Sequence, residues 1–346
     1  MIPAPNSSPQ PCASKPSEQP TLTPLRVSYV HTASAPVLDA LLAEPDILAI
    51  IGFGDDTPVA HGDPRYLHVP LQAADGTASF EVWRGHGAVK TQRAGALCQA
   101  SNGDYEFGAI ELDESLQGGI EGAAQHAYRL LIKWLDASPM PHMLRIWNYL
   151  DAINLGSGDN ERYRRFCSGR VAGMQNGFAN GYPAATAVGL RDGRRVLQIY
   201  WLAARSMGTA LENPRQMSAW RYPRQYGPHA PSFARAMRAP TACAQVYISG
   251  TAAIVGHASH HRDDFAAQLN ETLANIDSLL DAAQIDAAAR FGPRCVLKAY
   301  VRRDADVGTA RAMLESRLPA DTSLLLLRGD VCRSELLIEI DGVQYA

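Results

Sequence analysis

The stretch that decides the fold lies near the C-terminus and consists of Leu324-Leu325-Leu326-Leu327-Arg328-Gly329-Asp330-Val331-Cys332-Arg333-Ser334-Glu335-Leu336-Leu337-Ile338-Glu339-Ile340-Asp341. Two apolar runs flank a polar Gly-Asp segment, and this pattern predicts a strand, a turn and a second strand. Because successive residues of a strand face opposite sides, Glu335, Leu337 and Glu339 would share one face. A carboxylate on a largely buried strand is unfavourable unless it is paired or protonated. Glu339 is therefore either an ordinary acid that faces water from an edge strand or a buried proton donor.

The length and charge of the chain limit the classes of protein to which it can belong. A chain of 346 residues is long enough for two domains. Its 32 basic and 35 acidic residues give a formal net charge of -3, which gives no reason to expect a nucleic acid as partner. No apolar run approaches the roughly 20 residues that span a bilayer, so we expect no membrane partner.

The cysteine pattern and the N-terminal sequence favour a cytoplasmic protein. The six cysteines are scattered, without a C-x-x-C pair, which argues against a zinc knuckle or a disulfide framework. The N-terminus lacks the basic and then apolar pattern of a secretory signal. Residues 1–24 carry seven of the 22 prolines, and we expect a disordered tail there.

Beyond the tail, hydrophobic periodicity predicts an internal repeat with the order β-α-β-α-β-β. The first copy comprises strands at 106–112, 144–149, 184–190 and 196–203, with helices at 119–137 and 160–174. The second comprises strands at 245–249, 295–302, 323–327 and 335–341, with helices at 262–283 and 307–317. The predicted class is α+β, with two tandem domains at 25–211 and 212–346 whose helices cover one face of each sheet.

A segment between the two copies has the composition of a binding loop. Residues 212–238 are rich in arginine, proline and aromatic residues, whereas an ordinary linker is rich in Ser, Gly and Glu. Tyr222 and Arg235 could together bind a carboxylate, with Arg221 and Arg224 nearby. The alternative is that these arginines pair with acidic residues of the fold.

A second Tyr/Arg pair lies on the predicted helix at 160–174. Tyr163 and Arg170 are seven residues apart, which is two helical turns, so both project from one face. This face could equally be an ordinary solvated basic surface. If both Tyr/Arg pairs bind carboxylates, the ligand is a small dianion with two separated acidic groups.

Two other clusters have less specific patterns. His257, His260 and His261 lie close together, but no acidic ligand with a defined spacing accompanies them, so we predict no metal. We expect solvated imidazoles at the start of a helix there. Cys332 could be a small buried hydrophobe, or Arg328 and Arg333 could lower its pKa and make it reactive.

Several longer motifs together resemble the chorismatase family, whose members remove pyruvate from chorismate. The motifs are Arg145-Ile-Trp-Asn-Tyr-Leu-Asp-Ala-Ile-Asn154, Asn213-Pro-Arg-Gln216, Arg221-Tyr-Pro-Arg-Gln-Tyr-Gly-Pro228 and Ser249-Gly-Thr-Ala-Ala-Ile-Val-Gly-His257. The second repeat also resembles the YjgF/Rid fold, which a chorismate mutase shares, in its Ile248-Ser-Gly250 strand end and its closing strand pair.

The resemblance implies roles for individual residues. It implies that Glu339 transfers the proton and that Tyr163, Arg170, Tyr222 and Arg235 bind the substrate.

The resemblance also implies which product forms. Hydrolytic members yield a dihydroxycyclohexadiene carboxylate, whereas aromatising members yield hydroxybenzoate and are associated with a Cys and a Gly at the positions of Cys332 and Gly250. It therefore implies a hydroxybenzoate synthase of pigment or ubiquinone biosynthesis, and it leaves open whether 3-hydroxybenzoate, 4-hydroxybenzoate or both are made. It implies no cofactor, and the tandem repeat favours a monomer.

Three other classes remain as alternatives to this enzyme. A non-catalytic or imine-deaminating YjgF/Rid-like protein would not need the 212–238 loop. An iron-dependent oxygenase would need two histidines and a carboxylate in a recognisable pattern. A pure interaction module would not need two Tyr/Arg pairs and a buried acid.

Overall fold

The predicted repeat is present: two β-α-β-α-β-β units follow each other along the chain. The computed structural model describes residues 21–346. Its helices and strands are β1 (Arg26–His31), α1 (Ala35–Leu42), β2 (Ile47–Phe53), β3 (Tyr66–Val69), β4 (Ser79–Arg84), β5 (Lys90–Ala94), β6 (Leu97–Ser101), β7 (Tyr105–Asp113), α2 (Ile120–Ala137), β8 (His142–Asp151), α3 (Arg162–Met174), β9 (Ala184–Leu190), β10 (Val196–Ala204), β11 (Thr209–Leu211), β12 (Ala236–Arg238), β13 (Gln245–Thr251), β14 (Ile254–Val255), β15 (Ala258–Ser259), α4 (Phe265–Ala282), β16 (Cys295–Val301), α5 (Val307–Arg317), β17 (Ser323–Arg328), β18 (Asp330–Val331) and β19 (Ile338–Tyr345).

The two units have the same strand order. In the first, the sheet contains β9-β8-β10-β7, and in the second the corresponding strands are β17-β16-β19-β13. In both units the second and third strands are parallel and the fourth is antiparallel to its two neighbours. The predicted α+β class is therefore confirmed.

A third sheet precedes the two repeats. Strands β1-β4-β2-β3 form it, and α1 packs on its outer face through Leu38, Leu41 and Leu42. Residues 25–211, which were predicted as one domain, therefore contain this sheet as well as the first repeat. Strand β2 of the third sheet is buried along all seven of its residues, which is typical of a strand covered on both sides.

The three sheets turn their inner faces toward one shared core. Aromatic residues from all three meet there, and Trp83, Trp147 and Tyr200 are in mutual ring contact. Helices α2 and α3 cover the outer face of the first repeat, and α4 and α5 cover that of the second. The helices therefore lie on one face of each sheet, as predicted.

The folded part of the chain begins before Leu25, the residue at which the sequence analysis placed it. Leu22 is buried and its backbone N–H donates to Pro240 O at 2.9 Å. The predicted tail at 1–24 therefore includes residues that pack against the second repeat, while residues 1–20 lie outside the described part. Within residues 21–346, none of the helices combines the length and apolar character needed to cross a membrane.

The last strand is shifted along the chain relative to its predicted range of 335–341. It begins at Ile338 because polar side chains bind the backbone groups of the preceding residues. Gln268 accepts from Leu337 N–H and donates to Glu335 O, and Arg302 donates to Leu336 O. Leu337 consequently packs with the helix-side core and does not share a face with Glu339.

Candidate active site

A cavity of about 520 Å³ lies between the two repeats. Helix α3 and strand β9 of the first repeat form one wall, and β13, β19 and the Cys332 turn of the second repeat form the other. The predicted site residues that line it are Tyr163, Arg170, Tyr222, Arg235, Gly250, Cys332 and Glu339. Residues that are far apart in the sequence are thus brought to one cavity.

Two predicted binding residues do not line this cavity. Arg221 is exposed at the end of a short turn, and Arg224 forms an ion pair with Asp159 at 2.5 Å on the surface. Arg224 therefore follows the alternative in which an arginine of the loop pairs with an acidic residue of the fold.

Glu339 is a buried acid and not an edge-strand acid. Strand β19 lies between β13 and β16, and Glu339 is 4% exposed and directly opposite Tyr300. Burial raises the pKa of its carboxyl to about 8, with a further contribution from Asp341, although Arg145, Arg302 and Arg235 act in the opposite direction. Burial outweighs the arginines, so the carboxyl carries its proton at neutral pH.

Gly250 makes room for this carboxyl. A Cβ at residue 250 would lie 2.1 Å from Glu339 Oε1, which is far closer than atoms can approach. The sequence analysis does not assign this role to Gly250. The lack of a side chain at residue 250 leaves the space that the Glu339 carboxyl occupies.

Cys332 lies in a turn whose backbone carbonyl groups accept hydrogen bonds from Arg302. The guanidinium of Arg302 donates to Val331 O and Arg333 O, and it pairs with Asp330 at 2.9 Å. Burial raises the pKa of the Cys332 thiol, and neighbouring Glu339 raises it further, while Arg333 opposes both. The alternative in which arginines make this thiol reactive is wrong, because Arg333 and Arg302 do act to lower its pKa but desolvation of the thiolate is the larger effect.

Arg170 is buried on α3 with its guanidinium stacked over the ring of Tyr128. Its Cζ lies 5.1 Å from the ring centroid, and its Nη2 donates to Ser232 O at 2.6 Å. It forms no ion pair with an acidic side chain of residues 21–346, and its Nε has no hydrogen-bond partner there. A buried charge without a counter-charge is costly, and an anionic ligand would offset that cost.

Arg235 is the second buried cation of the cavity. Its Nη2 donates to the Tyr222 hydroxyl and to Met217 O, both at 2.7 Å, so the predicted Tyr222/Arg235 pair is a direct contact. Within the described chain it also forms no ion pair. Burial raises the pKa of the nearby Glu212 carboxyl, and the charge of Arg235 acts on it in the opposite direction.

The sequence analysis missed the role of Arg333. Its guanidinium lies 3.8 Å from the ring centroid of Tyr226 and 5.1 Å from that of Tyr222. It also donates to His257 O at 2.9 Å and to Ser259 Oγ at 3.0 Å. Arg333 thus joins the Cys332 turn to the aromatic binding loop, and the repeated Tyr-x-x-x-Tyr spacing of that loop was the available signal.

The predicted histidine cluster is organised by hydrogen bonds. His257 Nδ1 contacts the Tyr226 hydroxyl at 3.2 Å, and His261 pairs with Glu271 at 3.1 Å. The expected solvated imidazoles are thus partly wrong, and the cap of α4 is Asp264, which accepts from Ala267 N–H. Among residues 21–346 there is no group of His, Cys, Asp and Glu that could hold a metal ion.

Comparison with known proteins supports the resemblance seen in the motifs. The family model "Chorismatase FkbO/Hyg5-like, N-terminal" matches residues 81–203. A 3-hydroxybenzoate synthase of Streptomyces hygroscopicus is 34% identical over 297 residues, covering 82% of this chain and 86% of that protein. The chain belongs to the chorismatase family.

Two further comparisons also cover most of the chain. A chorismatase of Streptomyces rapamycinicus is 33% identical over 302 residues, covering 82% of this chain and 87% of that protein. The crystal structure of a chorismatase superimposes with a TM-score of 0.80 at 28% identity, covering 94% of this chain and 100% of that chain. Family membership therefore extends over both repeats and over the cavity between them.

Proposed function

We propose that the protein cleaves chorismate to 3-hydroxybenzoate and pyruvate. The observation that carries the proposal is that one cavity combines a protonated buried acid with two buried arginines, neither of which forms an ion pair within residues 21–346. Chorismate carries a ring carboxylate and an enolpyruvyl carboxylate, and each can accept a charge-assisted bond from one of the arginines. A 3-hydroxybenzoate synthase among the relatives supports the same choice of substrate.

In the proposed first step, Glu339 acts as a general acid. Its proton is transferred to the methylene carbon of the enolpyruvyl group, which leaves positive charge on the adjacent carbon and ether oxygen. A carboxylic acid with a pKa of about 8 is still protonated at neutral pH, which suits this role. The tyrosine hydroxyls of Tyr163 and Tyr222 provide neutral hydrogen bonds beside the arginines.

The second step separates the two products. If water is excluded, pyruvate leaves with the ether oxygen while the neighbouring ring hydroxyl loses its proton and attacks the ring carbon that carried the ether, which forms an epoxide. The epoxide then opens at the carbon that first bore the hydroxyl, so the oxygen remains on the former ether carbon. Loss of the proton from that carbon restores aromaticity and gives 3-hydroxybenzoate. Hydroxybenzoate and pyruvate together contain the atoms of chorismate, so the reaction needs no oxidant or reductant. If water enters, it attacks the cationic carbon and yields the dihydroxycyclohexadiene carboxylate instead.

Cys332 is the proposed aid to aromatisation. It lies in the cavity wall and its thiol is neutral, which favours proton relay over attack by a thiolate.

Incubation of the purified protein with chorismate tests the proposal. We expect hydroxybenzoate and pyruvate in equal amounts, identified by chromatography, and the ratio of the 3- and 4-isomers is read in the same run. The isosteric variant Glu339→Gln keeps the size of the side chain but has no acidic proton. It should release pyruvate about 10² to 10⁴ times more slowly.

Two results would contradict the proposal. Pyruvate release by Glu339→Gln at the rate of the unmodified protein would remove Glu339 as the proton donor. If the dihydroxycyclohexadiene carboxylate is the only ring product and no hydroxybenzoate is formed, the chain belongs with the hydrolytic members of the family.

A further inference from the structure

A second acid, Asp341, lies behind Glu339 on the same face of β19. It is fully buried, and its Oδ2 accepts hydrogen bonds from four donors: Thr186 Oγ1 at 2.8 Å, Trp147 Nε1 at 3.1 Å, Tyr300 OH at 3.1 Å and Arg145 Nη2 at 3.2 Å. Four donors directed at one oxygen are the surroundings of a carboxylate anion.

The contacts of Asp341 continue into the shared core of the three sheets. Lys298 Nζ lies 4.0 Å from Asp341 Oδ1 and 2.7 Å from Oε2 of Glu81 on β4. Asp341 does not line the cavity, so it does not reach a ligand there. Any effect of Asp341 on the reaction must therefore act through Glu339.

Glu339 is surrounded by charges of both signs. Arg145 on β8, Arg235 on the binding loop and Arg302 after β16 favour its ionised form, while Asp341 opposes them. Tyr163 on α3 and Cys332 in the turn also interact with it, and both are neutral. Glu161 and Glu335 line the same cavity, but Asp341 is the acid whose charge opposes the three arginines most strongly.

The strand geometry makes this interaction strong. Residues two apart on one strand face lie roughly 7 Å from each other. Solvent screening is weak because both side chains are buried, with Asp341 fully so and Glu339 4% exposed. The fourfold hydrogen bonding of Asp341 fixes its carboxylate in place beside Glu339.

We propose that Asp341 is a positioning residue that keeps the proton on Glu339, so that arginines can bind a dianionic substrate without converting the acid to its inactive carboxylate. This inference rests on the proposed function of Glu339 as proton donor. Asp341 acts electrostatically on Glu339, which lies two residues away on the same strand face, and it does not contact the substrate.

The pH dependence of kcat in Asp341→Asn tests the inference. In the unmodified enzyme, activity should fall as the pH rises through the pKa of Glu339, because the acid is lost. Without the charge of Asp341, the arginines lower the pKa of Glu339. The pH at which activity falls, that is, the falling limb of the pH profile, should therefore decrease by about one unit or more. KM should change little because Asp341 lies outside the cavity.

A second variant keeps the test informative if Asp341→Asn does not fold. Tyr300→Phe removes one donor from Asp341 Oδ2 and leaves its charge less neutralised. The falling limb should then move the opposite way, to higher pH, by a few tenths of a unit. Loss of stability alone cannot produce shifts of opposite sign in the two variants.

The control is Glu106→Gln, which also turns a buried carboxyl into an amide. Glu106 lies on β7 and is bonded to Ser138, away from the cavity. Its pH profile should match that of the unmodified enzyme. An unmoved limb in both Asp341→Asn and Tyr300→Phe, or a shift to higher pH in Asp341→Asn, overturns the inference.

A direct titration separates this inference from the proposed function. The carbon signal of the Glu339 carboxyl, followed by nuclear magnetic resonance with and without Asp341→Asn, reports its protonation even if chorismate is not a substrate. A pKa of Glu339 that is equal in the two proteins overturns the inference, whereas absence of turnover overturns only the function.

Discussion

At the scale of single residues, the site depends on two groups that burial keeps neutral. Burial raises the pKa of Glu339 to about 8 and raises that of Cys332 as well. Both effects come from the low polarity of the space between the repeats, since the nearby arginines act in the opposite direction. The chemistry that we propose for the cavity is therefore that of a proton donor and a neutral thiol beside arginines that bind the substrate.

The role of Cys332 can be tested by two substitutions. We expect Cys332→Ala to shift the products from hydroxybenzoate toward the dihydroxycyclohexadiene carboxylate, because the proton relay is lost. Cys332→Ser keeps a group that can pass a proton, so it should retain more hydroxybenzoate than the alanine variant. Chromatography of the products measures the ratio. An unchanged ratio in Cys332→Ala would show that the thiol takes no part.

At the scale of the elements, small irregularities position the site. The pairing of β13 with β19 shifts register between Ile248 and Thr251, and Gly250 lies within this irregular segment. The shift brings the backbone of Gly250 against the carboxyl of Glu339. A regular ladder with a larger residue here would push the acid away from its place.

This arrangement predicts the effect of Gly250→Ala. The added Cβ would overlap Glu339 Oε1, so the carboxyl must rotate or shift, and we expect kcat to fall about tenfold or more with an altered product ratio. The control is Gly308→Ala in α5, where nothing lies within 4 Å of the added Cβ. Kinetics of the Gly250 variant equal to those of the control would contradict the role assigned to Gly250.

Sequence periodicity predicted some elements accurately and others less so. The ranges of α5 and β9 are as predicted, because their apolar spacing is regular and their ends are marked by polar or helix-terminating residues. The predicted helix at 262–283 begins later, at Phe265, because Asp264 caps it. The last strand moved from 335–341 to Ile338–Tyr345 because Gln268 and Arg302, both distant in sequence, bind the backbone before it.

At the scale of the whole molecule, a buried ion pair connects two sheets. Lys298 on β16 contacts Glu81 on β4 at 2.7 Å, and both side chains are at most 3% exposed. The pair thereby fastens the additional sheet at 26–84 to the second repeat. No local pattern in the sequence could reveal it, because its members are more than two hundred residues apart.

The cost of breaking this pair is a prediction for stability. Lys298→Met leaves Glu81 buried without its counter-charge, and we expect the free energy of unfolding to fall by about 3 to 5 kcal/mol. The double variant with Glu81→Gln should recover part of this loss, since no buried charge is then left alone. Denaturant unfolding monitored by tryptophan fluorescence measures both. A loss below about 1 kcal/mol in Lys298→Met would mean that the pair contributes little.

The sequence by itself determined the two repeats, their α+β class, the family and seven of the residues that line the cavity. These follow from periodicity and from local motifs, which are properties of neighbouring residues. Only the tertiary structure decided that Glu339 is buried and protonated, that Cys332 is a neutral thiol, and that Arg221 and Arg224 lie outside the cavity. Protonation and ligand access depend on desolvation and on charges brought together from distant segments, and these exist only once the sheets have packed.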